Sequence, residues 1–402
     1  MRSEHHGVAT AVPRLRDRPI REGERWIYSA GFNVDRSLSS TARIDTELGD
    51  IGRIMDSGGR VAILSHQGSH RDGTAVDLDF VAEYLSDRLD RTVAYVPEND
   101  TSAAEARARA LRPGTAAVFG NTREHHGEQR NDPTLARRFA ALGDFVAVGG
   151  FSKAHRAHAS NVGILQHRPG YLADSVLTEL ELLAPWAGRA DRYSVAVLGG
   201  VKPEKTVIGL DAMTGTYDVV IPGGAVLNSV LRALGHDIGS SELGESPDRC
   251  LRLATTVLGR HDRAEVHIPS EVVMARIGEN GFHDARTVAI SDGIPSGWAI
   301  VDFVPMPWMR ERLGTLAARG GRALVAGTPC RFSDGFRTSA TAVLDAFGAP
   351  AVQALLLGGD TVAELPWQGP VSTGGGSALH YLAHGTVPVL DALTPTNREL
   401  AL

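Results

Sequence analysis

Short apolar runs rich in β-branched residues alternate with amphipathic stretches along most of the chain, and this alternation restricts the fold more than any other feature. Runs of this length separated by helices are typical of parallel β-sheets that helices cover on both faces. The sequence therefore predicts an α/β protein. We expect strands at residues 60–65, 92–96, 115–119, 145–149, 194–198, 218–221, 287–290, 323–326 and 354–357.

A chain of 402 residues is longer than one hydrophobic core usually supports, so we expect two domains. The strands fall into two groups, and each group predicts a doubly wound, Rossmann-like parallel sheet. The amphipathic stretch between the groups is the expected hinge helix, although an ordinary surface helix would show the same pattern. The predicted boundaries are 1–170 for the N-terminal domain, 171–186 for the hinge helix and 187–402 for the C-terminal domain with the C-terminal tail.

Charge and composition argue against several classes of partner. The formal net charge is −6 without long runs of like charge, which gives no footprint for nucleic acid or an anionic membrane. No run of about 18 apolar residues is present, and Met1–Arg25 lacks the apolar segment of a secretory signal. We therefore expect a cytoplasmic protein, and a monomer rather than an oligomer. Cys250 and Cys330 are isolated in sequence, so we expect them to be buried rather than reactive.

Glycine clusters follow the strands of the second half repeatedly. In open α/β sheets, ligands bind beyond the carboxyl ends of the strands, where glycine lets the backbone approach a phosphate. A tight turn would explain any single cluster, but the repetition predicts a nucleotide site. No cluster matches the P-loop or the dinucleotide-binding pattern, so a different nucleotide architecture is required. The clusters are Gly199-Gly200, Gly223-Gly224, Gly358-Gly359-Asp360 and Gly374-Gly375-Gly376.

The first half instead places basic residues at strand ends and in loops. Histidine and arginine beside glycine suit a small anionic substrate, although any one of them could equally be a solvated surface charge. A metal pair at His155 and His158 is disfavoured because no carboxylate or thiolate cluster accompanies them in sequence. The basic candidates are Arg43, His66, Arg123, Lys153, His155, Arg156 and His158.

Lysine is rare in this chain, since of 41 basic residues only Lys153, Lys202 and Lys205 are lysine. Genomic base composition could explain the rarity, but it does not explain why all three lie beside candidate sites. A position that keeps lysine can require a compact charge rather than the planar guanidinium of arginine.

Six segments together carry a resemblance to a known family. In order and spacing they resemble phosphoglycerate kinase from about Trp26 to the C-terminus, which implies the phosphoglycerate kinase fold with a hinge between two domains. The segments are Gly31-Phe32-Asn33-Val34, Ser65-His66-Gln67-Gly68, Ala154-His155-Arg156-Ala157-His158-Ala159-Ser160, Gly199-Gly200-Val201-Lys202, Gly358-Gly359-Asp360-Thr361 and Val371-Ser372-Thr373-Gly374-Gly375-Gly376.

The resemblance also implies chemistry and roles. The N-terminal domain would bind a carboxylic acid and the C-terminal domain Mg²⁺ with ATP or ADP, and a phosphoryl group would pass between ATP and the carboxylate to give an acyl phosphate. Asp360 would hold the magnesium. The implied substrate contacts are Asn33, Arg43, His66, Arg123 and Arg156; the catalytic set is Arg43, Lys202, Gly375 and Gly376; and the nucleotide contacts are Gly199, Gly200, Lys202, Lys205, Gly224, Pro329, Gly359, Asp360, Thr361 and Gly374.

Departures from the family fall mainly on the acid-binding segments. The pattern R-V-D-F-N-V reads S-A-G-F-N-V from Ser29, and H-L-G-R-P reads H-Q-G-S-H from His66, so a substrate-binding carboxylate and a phosphate-binding arginine are missing. The pattern F-G-T-A-H-R gains Lys153, which we expect to bind the anion that arginine no longer holds at Ser69. In the nucleotide segments, the lysine loop is one residue shorter, and Ser333 stands where the family has a glutamate that meets the ribose.

Three functions are compatible with this pattern. We favour a carboxylate kinase whose acid, phosphorylated or not, differs from 3-phosphoglycerate, because losing a charged contact in a desolvated pocket is costly. The retained basic set favours ordinary glycolytic phosphoglycerate kinase instead. The third function is a non-catalytic binding protein on the same fold, and the retained Lys202 and Asp360 argue against it.

Overall fold

The computed structural model describes residues 12–394, which form two compact units. The first unit contains the chain up to Leu182 together with the segment from Thr386 onward, and the second is Leu183–Gly385. The units divide within the stretch 171–186 expected to be the hinge helix, and the α-helix found there runs Asp174–Leu183.

The first unit is built on a parallel sheet of six strands among the described residues, in the order β3-β4-β2-β1-β5-β6. The strands are β1 (Arg25–Ser29), β2 (Arg60–Leu64), β3 (Val93–Val96), β4 (Ala116–Phe119), β5 (Phe145–Val148) and β6 (Gly170–Leu172). The helices are α1 (Ala42–Asp45), α2 (Leu48–Asp56), α3 (Asp79–Leu89), α4 (Ser102–Ala110), α5 (Pro133–Ala140) and α6 (Asp174–Leu183).

Side-chain hydrogen bonds to free backbone N–H groups fix the start of three of these helices. The Thr101 hydroxyl accepts from Ala104 N at 3.1 Å and caps α4. The Asp132 carboxylate caps α5 by accepting from Leu135 N at 2.8 Å, with proline at the first helical position. A buried carboxylate from another helix, Asp50 on α2, accepts from the first N–H groups of α6 at 2.8 and 3.1 Å. The start of α6 is therefore fixed by a contact with another helix rather than by its own sequence.

The second unit contains another parallel sheet of six strands within the described range, in the order β15-β14-β13-β7-β8-β9. Its strands are β7 (Ser194–Leu198), β8 (Val219–Pro222), β9 (Glu265–Val266), β13 (Gly321–Ala326), β14 (Val352–Leu357) and β15 (Val371–Ser372). A separate sheet contains β10 (Glu271–Gly278), β11 (Gly281–Ala289) and β12 (Trp298–Phe303). The helices are α7 (Asp211–Thr216), α8 (Gly224–Ala233), α9 (Pro247–Leu258), α10 (Pro307–Arg319), α11 (Thr338–Phe347), α12 (Gly359–Glu364) and α13 (Gly376–His384).

The prediction of a parallel strand at 287–290 is wrong. Residues 287–289 end β11, which pairs antiparallel with β10, and Ile290 begins a 3-10 turn. Only Glu279 and Asn280 separate the two strands. So short a connection permits a hairpin, whereas a parallel pair needs a longer crossover. The doubly wound architecture of both large sheets is otherwise as expected.

The C-terminal tail differs from the expected boundary of 187–402, because its described part belongs to the first unit. Helix α14 (Pro388–Leu393) buries Val389, Leu390 and Leu393 there. Its Val389 N donates to Ala154 O at 3.4 Å. Burial of this apolar face explains the placement, and residues 395–402 of the tail lie outside the described range.

Cys250 and Cys330 are free thiols and buried, as expected. Within residues 12–394, no helix has the length and apolar character needed to cross a membrane.

Candidate functional site

Polar and basic side chains of the first unit lie near the carboxyl ends of neighbouring parallel strands. Asn33 follows β1, His66 follows β2 and Arg123 follows β4, while Arg43 lies on α1. The Arg43 guanidinium donates to Asn33 O at 2.7 Å, and Asn33 Oδ1 accepts from Gly68 N at 3.2 Å. The Arg123 Nη1 donates to Gly68 O at 3.3 Å. Three of the predicted substrate contacts are therefore joined through one loop, 66–69.

His66 and Arg123 show how strongly positive this region is. Both side chains are buried, with relative exposures of 6% and 5%. Burial, followed by the charges of Lys153 and Arg123, holds the pKa of His66 well below its ordinary value, so the imidazole is neutral at neutral pH. Arg123 Nε is buried without a hydrogen-bond partner. An anion bound here would satisfy this donor and offset the mutual repulsion of the cations.

Lys153 lies deeper than we expected. Its side chain is 3% exposed, and its Nζ donates to Ser29 Oγ at 2.9 Å. Burial lowers the pKa of Lys153 to about 8, against the opposing effects of Glu128 and Glu47. Ser29 occupies the position where the family has arginine, so the ammonium lies against the small residue that replaces a guanidinium.

A carboxylate has been exchanged in a similar way. Gly31 stands where the family has aspartate, and Glu47 Oε1 accepts from Gly31 N at 3.1 Å. The Glu47 side chain is 3% exposed, and burial raises its pKa to about 7. Glu47 was not predicted from sequence, because it lies outside the segment Ser29–Val34 that carries the family pattern. Lys153 and Glu47 thus bring an amino group and a carboxyl group to the end of β1 from other elements.

The last predicted substrate contact, Arg156, is exposed in the loop after β5. Its Nε donates to His155 Nε2 at 3.1 Å, and the backbone of its loop is held by Asn161, whose Nδ2 donates to Arg156 O at 2.9 Å. The His158 Nδ1 atom lies 3.8 Å from Oε1 of the buried Glu128 carboxyl group. Within residues 12–394, no group of three or more His, Cys, Asp or Glu side chains is arranged to hold a metal.

The second unit contains a cavity of about 230 Å³ beyond the carboxyl ends of β7, β8, β13 and β14. Most of the predicted nucleotide contacts line it. Gly359 and Gly374 do not, and Gly375 and Gly376 lie at the start of α13, also outside its lining. The predicted contacts that do line the cavity are Gly199, Gly200, Lys202, Lys205, Gly224, Pro329, Asp360 and Thr361.

The glycines around this cavity serve the packing of loops against each other. A Cβ on Gly199 would lie 2.2 Å from Thr328 O, and one on Gly224, whose φ is +49°, would lie 2.8 Å from Gly200 O. The N–H groups of Gly200 and Gly224 already donate to carbonyls, at 2.8 Å to Thr328 O and 3.0 Å to Pro329 O. We predicted that these glycines let the backbone approach a phosphate, but here they let three loops approach one another.

Lys205 is the most unusual group in the cavity. It begins a π-helical turn, Lys205–Leu210, a form that is rare and frequent at functional sites. Its side chain is 8% exposed, and its Nζ is buried without a hydrogen-bond partner. Burial and the neighbouring charge of Lys202 lower its pKa to about 8. An anionic ligand would supply the missing partner.

Lys202 and Asp360 form an ion pair of 2.7 Å at the open side of the cavity. Both side chains are largely exposed, so the pair adds little stability and can open readily. A carboxylate oxygen is a ligand that Mg²⁺ prefers, and Mg²⁺ commonly uses one or two carboxylates together with substrate phosphates. Asp360 therefore fits the predicted magnesium ligand, with Lys202 beside it.

Other residues of the cavity were missed from sequence. Glu242 and Arg331 form an ion pair of 2.6 Å, and Ile300 lies on β12. Glu364 also lines the cavity. Its position one helical turn after Asp360 on α12 was the available signal, but the sheet that supplies Ile300 has no counterpart in the motifs.

Comparison with known proteins identifies the family of this chain. A family model described as phosphoglycerate kinase matches residues 23–385. The chain belongs to the phosphoglycerate kinase family. It is 30% identical over 386 residues to a phosphoglycerate kinase of Thermosipho africanus, covering 91% of this chain and 94% of that protein. It is 31% identical over 389 residues to one of Azorhizobium caulinodans, covering 92% and 96%.

Solved structures of phosphoglycerate kinases are similar to this chain over nearly its whole length. Phosphoglycerate kinase from Coxiella burnetii superposes with a TM-score of 0.73 at 26% identity, covering 96% of this chain and 100% of that chain. The enzyme from Pyrococcus horikoshii gives a TM-score of 0.76 at 22% identity, covering 97% and 100%, and shows the shared fold. Membership of the family implies a phosphotransferase that acts on a carboxyl group.

Proposed function

We propose that this chain is an ATP-dependent carboxylate kinase, which moves a phosphoryl group between Mg-ATP and a carboxylic acid and so forms or consumes an acyl phosphate. The observation that carries the proposal is the buried Lys205 ammonium, which has no hydrogen-bond partner and lies in the cavity with Lys202 and Asp360. An unpaired buried ammonium is costly. The polyphosphate of a nucleotide supplies the charge that it lacks.

The chemistry of this reaction suits the groups present. Phosphoryl transfer depends on positioning and on neutralising negative charge, and a carboxylate nucleophile has no proton to lose. No general base is therefore required. Lys202, on an exposed and adjustable side chain, would neutralise the moving phosphoryl group. Asp360 would hold magnesium, which would supply positive charge beside the phosphates. These charges favour a kinase over a non-catalytic binding protein.

The acid is proposed to differ from 3-phosphoglycerate. The arginine and aspartate of the family are absent from the end of β1, where Ser29 and Gly31 stand, and Ser69 replaces a further arginine. Lys153 and Glu47 bring an amino group and a carboxyl group to the same end of β1 but hold them in buried positions, on Ser29 Oγ and Gly31 N. The charges that face a ligand are thereby rearranged rather than simply lost.

Ordinary phosphoglycerate kinase activity is the second candidate. Asn33, Arg43 and Arg123 remain joined through Gly68. This arrangement would still hold a phosphorylated acid, and it is the observation that favours 3-phosphoglycerate.

A coupled assay of ADP release across a panel of carboxylic acids, with 3-phosphoglycerate included, distinguishes these two candidate functions. We expect at least one other acid to give a kcat/KM at least about tenfold above that of 3-phosphoglycerate, the size of one charged contact. Preference for 3-phosphoglycerate would establish the second candidate. Failure of every acid to stimulate ADP release would contradict the kinase proposal.

A further inference from the structure

Glu364 places a carboxylate in the nucleotide cavity from a position outside the family motifs, one helical turn after Asp360. It is the last residue of α12 and lines the cavity. Its Oε1 accepts from Ser333 N at 3.1 Å and from Ser333 Oγ at 2.9 Å. Its Oε2 accepts from the Thr328 hydroxyl. Ser333 stands where the family has a glutamate, so a carboxylate reaches that position from a different helix.

Electrostatics limits which part of a nucleotide can lie beside Glu364. Polyphosphate is drawn to Lys202 and Lys205, and it is repelled by a carboxylate unless a metal ion lies between them. Asp360, beside Lys202, is the carboxylate placed for that metal. Glu364 is held by hydroxyl and amide donors instead, so its neighbour in the nucleotide is an uncharged donor group.

The present partners of Glu364 indicate which donor it accepts. Two of the three groups that donate to it are hydroxyls, those of Ser333 and Thr328. An ionised carboxylate accepts about four hydrogen bonds and donates none. A vicinal diol presents the same kind of donor, and the ribose of a nucleotide carries one. A carboxylate on the ribose hydroxyls is also the arrangement used by dinucleotide-binding folds.

We propose that Glu364 accepts hydrogen bonds from the ribose hydroxyls of the bound nucleotide and replaces the glutamate absent at position 333. The inference rests on the proposed function, because it requires that the cavity binds a nucleotide. Glu364 then determines the preference for ribonucleotides over nucleotides whose sugar lacks hydroxyls.

Glu242 is another carboxylate that lines the cavity, and its contacts argue against a role in binding the sugar. It pairs with the Arg331 guanidinium at 2.6 Å, and this guanidinium lies 5.3 Å from the centroid of the Phe282 ring. A carboxylate whose charge is matched by arginine gains little from a hydroxyl. Glu242→Gln is therefore a matched control, with the same chemical change in the same cavity.

The test is equilibrium binding of ADP and of 2′,3′-dideoxy-ADP, measured by isothermal titration calorimetry with magnesium present. Wild-type protein should bind ADP at least about tenfold more tightly, as expected for hydrogen bonds to a charged group. Glu364→Gln should reduce that ratio to within about threefold by weakening ADP alone. Glu242→Gln should leave the ratio unchanged, whatever it does to the two affinities.

A restoring variant keeps the test decisive if Glu364→Gln disturbs the loop that contains Thr328. The double variant Ser333→Glu, Glu364→Ala recreates the family arrangement and should recover the preference for ADP. Equal binding of the two nucleotides by wild-type protein, or an unchanged ratio in Glu364→Gln, would overturn the role of Glu364 while leaving the kinase proposal intact. Absence of any nucleotide binding would instead refute the proposed function.

Discussion

If the cavity binds a nucleotide as proposed, Lys205 should make that binding sensitive to pH. Its Nζ is buried without a hydrogen-bond partner, and its pKa is lowered from 10.5 to about 8. In the free protein, about three quarters of the molecules carry the charge at pH 7.5, but only about 3% do so at pH 9.5. Binding of a polyphosphate requires the charged form and raises the pKa towards its ordinary value.

The size of the effect follows from this linkage. If the pKa of Lys205 in the complex is at least 10.5, affinity for Mg-ADP falls about twentyfold between pH 7.5 and pH 9.5. The direction follows because the depressed pKa belongs to the free state, so proton uptake accompanies binding as pH rises. The number of protons taken up grows from about 0.2 to about 0.9 over this range. The phosphate groups are already ionised there.

Isothermal titration calorimetry in buffers of different ionisation enthalpy measures both the affinity and the proton uptake. Lys205→Met should bind weakly and lose the dependence on pH. Lys202→Met should keep a dependence that is moved to higher pH, because burial still lowers the pKa of Lys205 but the repelling charge of Lys202 is gone. Equal affinity of the wild-type protein at the two pH values, without proton uptake, would refute the reasoning about Lys205.

The remaining predictions concern catalysis and stability. Lys202→Ala should lower turnover by about a hundredfold or more and change ATP affinity little, because its charge acts on the transition state; near-normal turnover in a steady-state assay would contradict the role. Asp360→Asn should raise the magnesium concentration for half-maximal turnover about tenfold, consistent with a lost carboxylate ligand, and an unchanged magnesium titration would refute it. Lys153→Ala should raise the KM for the acid roughly tenfold with ATP affinity unchanged, whereas wild-type acid kinetics would show that Lys153 serves only the interior of the first unit. His267 is buried with both ring nitrogens unpartnered, and burial lowers its pKa from 6.5 to about 4. As pH falls through this window the unfolded state binds the proton first, so urea unfolding should show the wild-type protein losing up to about 3 kcal/mol relative to His267→Phe; parallel pH profiles would contradict this.

Local sequence pattern was enough to predict most of the sheet strands. Runs such as Val61–Leu64 and Val195–Leu198 are buried on both faces of a parallel sheet, which is why they are uniformly apolar. The prediction of a parallel strand at 287–290 was wrong because a short apolar run does not show which strand it pairs with, or in which direction. Pairing of β11 is set by the turn after Gly278, and most of β11 is exposed. Strand β1 went unpredicted although it is central in its sheet.

Residues of the candidate site could be predicted from sequence only where they lie in the family motifs. Asn33, Arg43 and Arg123 were expected together and are joined through the same loop. Burial of Lys153 against Ser29 could not be anticipated, because the two residues are 124 positions apart. Glu364 likewise reaches Ser333 across 31 positions. Both are side chains that replace a missing charge from another element, and one sequence shows the loss but not where the replacement lies.

Trapping of the product with hydroxylamine tests the central claim most directly. Acyl phosphates react with hydroxylamine to give hydroxamates, whereas phosphate esters and inorganic phosphate do not. With Mg-ATP and the acid identified from the panel, hydroxamate should form in equal amount to ADP, and Lys202→Ala should slow the formation of both to the same extent. Release of ADP without hydroxamate would mean that the phosphoryl group goes to water or to a hydroxyl, and it would contradict the assignment of a carboxylate kinase.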